Sequence, residues 1–309
     1  MSKKIIIVEP HGFCSGVARA VETAELILER YAGQPVYCLN EIVHNRQVVG
    51  GLREHGMTFV RSVEDVPEGA FLLLSAHGVS PQVKACAAVR NLKVVDAVCP
   101  FVSKVHAEVR EFARRGMSVI CIGHRAHEEV IGVVGEAPDV VHVVESVEEA
   151  EEIDLPGVFP VGVVTQTTLG ATQVDGVTAV LEKRFSQLQI PASTDVCYAT
   201  RNRQGAVKEL ASCTQRVLVL GSSNSSNSRR LVECAESEGT ESLLISELAD
   251  LESLGWECVE CVGITSGAST PEIFLYEVVQ KLRTSFGFGE PERLVSVEEL
   301  SQSFRLPEI

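Results

Sequence analysis

The chain has 309 residues, 45% of them hydrophobic and 22% charged, enough for two or three domains each with its own core. A net charge of −15 and a pI near 5.0 argue against the basic stripe that nucleic-acid binding needs and favour a small-molecule partner. No apolar run approaches the roughly eighteen residues of a membrane span, and the apolar stretch after Lys4 stops at Glu9 and Pro10, so no signal sequence or membrane partner is expected. The reading is a cytoplasmic protein whose ten cysteines serve metal, redox or packing roles rather than disulfides.

In chain order, short β-branched runs recur at IIIV (5–8), PVYCL (35–39), FLLLS (71–75), KVVDA (93–97), SVICI (118–122), VFPVGVV (158–164), RVLVL (216–220) and CVGIT (261–265). Each is followed by a polar, Gly-rich or Ser-rich turn and then a helical period. That alternation predicts βαβ units and parallel sheets, and the nearly continuous apolar runs predict strands covered on both faces. The turns read HGFCSG (11–16), NEIVHN (40–45), SAHGVSPQ (75–82), DAVCPF (96–101), GHRAHEE (123–129), TQTTLG (165–170), DVCYAT (195–200), GSSNSSNS (221–228) and TSGASTP (265–271). They sort into three sets of three, each with one Cys turn. The pattern predicts three pseudo-threefold-related α/β domains over 14–98, 99–193 and 194–282, with residues 1–13 joining the last. Residues 283–309 form a C-terminal tail, and 291–309 reads as extended chain with a short helix. Ligands of open parallel sheets gather beyond the carboxyl ends of the strands, so all nine turns are candidates to line one central cavity.

Cys14, Cys99 and Cys197 each sit between a strand-like run and an amphipathic helix. A helix N-terminus favours a thiolate, which suits metal ligation. Any one such cysteine reads by default as packing, but three in matching settings read as a shared centre. Zinc prefers a closed tetrahedral set, whereas a cubane iron–sulfur cluster held by three thiolates leaves one iron open for chemistry. Cys38, Cys86, Cys121, Cys213 and Cys234 fall in strand or helix patterns and read as core. Cys258 and Cys261 form a CxxC without Gly or a second CxxC, and they read as non-functional.

His44, His77 and His127 lie in strand-to-helix turns and read as a polar cavity lining, while His11, His55, His106, His124 and His142 read as ordinary histidines. The turns TQTTLG, GSSNSSNS and TSGASTP are rich in hydroxyls and open helices. Singly they cap; converging, with their free N–H groups, they make an anion site suited to phosphate. Neither a Walker loop nor a G-x-G-x-x-G opening is present, so no nucleotide cofactor is indicated.

Taken together, HGFCSGV, EIVHN, SAHGVS, DAVCP, GHRAHEE, TQTTL, CYATRNRQ, GSSNSSNS and TSGAS resemble, in order and spacing from about residue 4 to 285, the 4-hydroxy-3-methylbut-2-enyl diphosphate reductases of the methylerythritol phosphate route to isoprenoids. The resemblance implies a trefoil of three α/β domains around a [4Fe-4S] cluster. It also implies reductive dehydroxylation of an allylic diphosphate to isopentenyl and dimethylallyl diphosphates, the substrate hydroxyl binding the open iron. It implies Cys14, Cys99 and Cys197 as cluster ligands, Glu129 as proton donor, and Thr167 as the residue that holds the substrate hydroxyl and relays its proton. His44, His77 and His127 would contact the diphosphate, with Ser225, Ser226, Asn227 and Ser269 completing the cradle. Ferredoxin or flavodoxin is the implied electron donor, since the chain carries no flavin or nicotinamide motif. Two departures stand out: Glu128 occupies a place where the family usually has Pro, and Thr194, Asp195 and Val196 stand where it often reads Asp-Thr-Ile. The competing readings are an iron–sulfur lyase or dehydratase such as quinolinate synthase, which needs no electron supply, and a non-catalytic iron–sulfur sensor, which needs an exposed cluster.

Overall fold

A computed structural model describes residues 3–155, 160–191, 194–299 and 303–309. In chain order the first elements are β1 (Lys3–Glu9), α1 (Ser15–Arg30), β2 (Val36–Leu39), α2 (Arg46–Glu54), β3 (Met57–Val60), β4 (Phe71–Leu74), α3 (Pro81–Val89) and β5 (Lys93–Asp96). There follow α4 (Pro100–Arg114), β6 (Ser118–Ile122), α5 (Glu128–Val134), β7 (Val141–Val144), α6 (Val147–Glu152), β8 (Val161–Thr165), α7 (Ala171–Arg184) and β9 (Leu188–Gln189). The last are α8 (Tyr198–Cys213), β10 (Arg216–Leu220), α9 (Ser226–Ser237), β11 (Glu241–Ile245), β12 (Cys261–Ser266), α10 (Glu272–Phe286) and β13 (Phe288–Val295).

These strands form three sheets, ordered β3-β2-β4-β5, β7-β6-β8-β9 and β11-β10-β12-β1-β13, and every described strand pair is parallel. The α/β class and the parallel sheets are as the alternating pattern predicts. By compactness the chain divides into two units. One holds residues 1–18, 44–51 and 198–303 and contains the five-stranded sheet; the other holds 19–43, 52–197 and 304–309 and contains the two four-stranded sheets. The predicted boundary at 193 and the first two residues of the 158–164 run lie outside the described residues.

Central strands show why they are strands. All residues of FLLL in β4, VGVVT in β8 and RVLVL in β10 are buried, as expected for strands packed by helices on both faces. In the five-stranded sheet one face packs Ile5, Leu218, Ile264 and Val278 around Trp256, while the other packs Val8, Val219, Leu210 and Leu231. Full burial of each such side chain stabilises the fold by about 1.5–3 kcal/mol. Helix starts are written locally as well: Pro81 and Pro100 stand at the first positions of α3 and α4, and Ser80 caps α3 by accepting from Val83 N at 3.4 Å.

Two expectations need correction. The helix read into 291–309 is not found among the described residues; Phe288–Val295 forms β13 beside β1, its exposed outer positions hiding the strand pattern. Cys213, read as core, is exposed at the end of α8, where the helix period no longer points inward.

Candidate active site

The three cysteines share one backbone arrangement. Cys14 immediately precedes α1, Cys99 is the N-cap of α4, and Cys197 immediately precedes α8. Each amide donates to a carbonyl in a turn that leaves a central strand: Cys14 to Ala268 at 3.2 Å, Cys99 to Ala76 at 3.0 Å and Cys197 to Thr167 at 3.1 Å. Those turns are TSGAS, SAHG and TQTT, the third member of each predicted set. Val17 N approaches Cys14 Sγ at 3.5 Å, so the sulfur faces the exposed N–H groups of its helix. None of the ten cysteines is in a disulfide, and these three are half-buried. Soft sulfur donors at helix N-termini suit iron–sulfur ligation. By contrast, burial pushes the thiols of Cys38 and Cys121 well above the ordinary range, the behaviour of inert core residues.

In the unit built on the two four-stranded sheets, Glu129 is 2% exposed. Both its carboxylate oxygens accept from one residue: Oε1 from Thr167 N at 2.7 Å and Oε2 from Thr167 Oγ1 at 3.0 Å. Since Thr167 also receives the Cys197 amide on its carbonyl, one residue connects the acid with a cysteine turn. His127 caps α5, its Nδ1 accepting from Glu129 N at 3.2 Å. With Nδ1 occupied as acceptor, the neutral ring carries its proton on Nε2 and can donate there. The His77 and His127 rings meet edge to face at 5.8 Å, and His77 Nδ1 lies 3.2 Å from Glu128 Oε2.

In the other unit, the turns after β10 and β12 interlock. Ser225 caps α9, accepting from Ser228 N at 3.3 Å and from Ser228 Oγ at 3.1 Å. The Ser228 side chain is wedged between two glycines, since a Cβ at Gly221 or Gly267 would come within 2.3 or 2.1 Å of its Oγ. Ser269 Oγ donates to His44 O at 3.0 Å, and Ser222 Oγ accepts from Arg46 N at 3.0 Å, so the His44 turn is bound to both serine turns. Asn227 is 5% exposed, yet neither its Nδ2 nor its Oδ1 has a partner among the described residues. A buried carboxamide left open at both ends is costly and calls for a polar ligand. Sequence reasoning missed Ser222, Ser228, Gly221 and Gly267; the alternation of small residues in GSSNSSNS and TSGAS is the signal for such close backbone approach.

Known proteins resemble this chain along nearly its whole length. A family model described as LytB protein matches residues 5–283. A Mycobacterium ulcerans protein named 4-hydroxy-3-methylbut-2-enyl diphosphate reductase is 47% identical over 99% of this chain and 91% of its own. A Mycobacterium bovis protein named 4-hydroxy-3-methylbut-2-enyl diphosphate reductase 1 is 47% identical over 91% of this chain and 84% of its own. Among solved structures, the E-1-hydroxy-2-methyl-but-2-enyl-4-diphosphate reductase of Plasmodium falciparum superposes with a TM-score of 0.95 at 34% identity, covering 99% of this chain and 96% of that one. By the span of the family model and the identity of these relatives, the chain belongs to the LytB family.

Proposed function

We propose that this chain is the reductase its relatives are named for, converting (E)-4-hydroxy-3-methylbut-2-enyl diphosphate to isopentenyl and dimethylallyl diphosphates. The allylic C–O bond breaks, two electrons and two protons enter, and the oxygen leaves as water. Cys14, Cys99 and Cys197 would hold a [4Fe-4S] cluster; when bound, that group supplies single electrons and a Lewis-acidic iron. The electrons come from an external low-potential donor of the ferredoxin or flavodoxin class, in the cytoplasm.

The observation that carries this reading is the buried Glu129–Thr167 pair on the turn that receives the Cys197 amide. A protonated Glu129 donates to Thr167 Oγ1, and the threonine hydroxyl passes its own proton to the leaving oxygen. Burial keeps bulk water from competing for that proton. The open carboxamide of Asn227, the hydroxyls of Ser225 and Ser226, and the N–H groups opening α9 offer neutral donors to a diphosphate, while Ser269, whose hydroxyl donates to His44 O, holds the His44 turn in place. His44, His77 and His127 add imidazole donors. Neutral donors suit a chain of net charge −15, because they bind the anion without a basic patch.

The test is an anaerobic assay with the allylic diphosphate and a chemically reduced one-electron dye. Formation of both products in proportion to dye oxidised supports the reading; turnover without reductant would reassign the chain to a lyase or dehydratase.

A further inference from the structure

Asp195 is a buried carboxylate that the proposed chemistry does not use. Its side chain is 1% exposed, and both oxygens are engaged. Oδ2 accepts from Thr165 N at 3.0 Å, and Oδ1 accepts from Lys104 Nζ at 2.5 Å. Thr165 is the last residue of β8, two positions before the Thr167 that holds Glu129. Lys104 stands on the second turn of α4, the helix whose N-cap is Cys99, and also meets Glu108 at 2.9 Å. Asp195 itself lies two residues before Cys197. One carboxylate therefore fastens together three segments of the same unit: the Cys197 turn, the strand end leading to the acid, and the helix led by Cys99.

Retaining an ion pair at such a place is hard to explain by stability alone. Withdrawing the Asp195 carboxylate from water is costly, and an apolar contact of similar volume often serves as well or better. What an ion pair supplies and an apolar contact does not is a fixed direction and distance. We propose that Asp195 and Lys104 are positioning residues that set the relative placement of Cys99 and Cys197 as cluster ligands and, through Thr165, of Thr167 beside them. This rests on the cluster reading of the site. The sequence departs from its family's common pattern at 194–196, so this chain's own Asp195 and Lys104 are the pair to test.

The experiment uses the full-length protein reconstituted anaerobically, comparing the wild type with Asp195→Asn, Lys104→Met and the double variant. Asparagine keeps an acceptor for Thr165 N and removes the charge. Lys104 is part-exposed, so Lys104→Met carries the test by itself if Asp195→Asn does not fold. The expected result is a wild-type iron and sulfide content at reconstitution, altered g values of the reduced cluster, and iron stripped by a ferrous chelator about 10–100-fold faster. A fall in kcat of about 10–100-fold, with KM nearly unchanged, should accompany this. The double variant should be no worse than the worse single one, because the two residues act as a unit. A lowered unfolding temperature with unchanged g values and chelation rate overturns the proposal, reducing the pair to a structural strut. Failure of the cluster reading is separately visible, because the wild-type chain would then bind no iron, and the proposal would fall with it.

Discussion

Glu128 and Glu129 are adjacent and chemically alike, yet a helix turns each residue about 100° from the last, so Glu129 is fully enclosed and Glu128 only partly. Glu129 is enclosed with both oxygens on Thr167, whereas Glu128 keeps 19% of its side chain exposed beside His77. The sequence alone left two adjacent carboxylates; the burial of Glu129 and its two hydrogen bonds to Thr167 support it as the proposed acid. Glu129→Gln should retain the cluster's visible absorption and lower kcat by about 10²–10⁴-fold, while Glu128→Gln should change it by less than about tenfold. Equal losses from the two, measured in the reductant-coupled assay, would contradict the assignment. Asn227 allows a different discrimination. Its carboxamide has no partner among the described residues, so replacing it by Leu should leave the unfolding midpoint unchanged or raised, because an unsatisfied buried polar group has been removed. The same variant should raise KM for the diphosphate at least tenfold; a stability loss with normal KM would make Asn227 a packing residue.

At the scale of elements, buried charges hold the turns. Arg203 on α8 is 1% exposed and donates from Nη2 to Gly12 O at 3.0 Å and from Nη1 to Ala199 O and Glu299 Oε1, both at 3.1 Å, tying the Cys14 turn to α8. Arg203→Met leaves Glu299 and the Gly12 carbonyl without this partner and should cost about 3–5 kcal/mol in denaturant unfolding. Glu108 supplies a pH test. Burial pushes its carboxyl from the ordinary 4.5 up to about 7, with Asp195 adding to the rise and Lys104 opposing it. A raised native pKa means the folded chain holds the proton more tightly. The resulting stabilisation is complete below 4.5 and is lost as pH rises through about 7. Glu108→Gln should therefore flatten the decline in unfolding free energy between pH 5 and 8; an unchanged slope would assign the decline elsewhere.

The elements also show what was legible beforehand. All eight strands read from apolar runs are present. The five that were missed, β3, β7, β9, β11 and β13, all lie at sheet edges, where one side is solvated and the apolar run breaks up, as in ESLLI or VHVV. The cysteine turns were legible because a helix N-terminus has a local signature. The pairing of each cysteine amide with a particular strand-end carbonyl was not, because those partners are distant in sequence: Cys14 meets Ala268, and Cys197 meets Thr167. Arg203 and Asp195 were hidden for the same reason, since a charged residue reads as surface until its partner is known.

For the molecule as a whole, the proposed donors are distributed over two compact units. Cys14, His44 and the serine turns belong to one; Cys99, Cys197 and the Glu129–Thr167 pair belong to the other. Among the described residues no helix is long and apolar enough to cross a membrane. The proposed activity requires all three cysteines, so single Cys→Ser changes at 14, 99 and 197 should each deplete iron and sulfide, while Cys258→Ser, at an exposed position, should not. The most direct test of the function is Mössbauer spectroscopy of the anaerobically purified, iron-57-enriched protein with and without the allylic diphosphate. The account predicts a cluster spectrum in which the signal of one iron alone shifts when the diphosphate is added. A protein that takes up no cluster, or a cluster spectrum indifferent to the diphosphate, would contradict it.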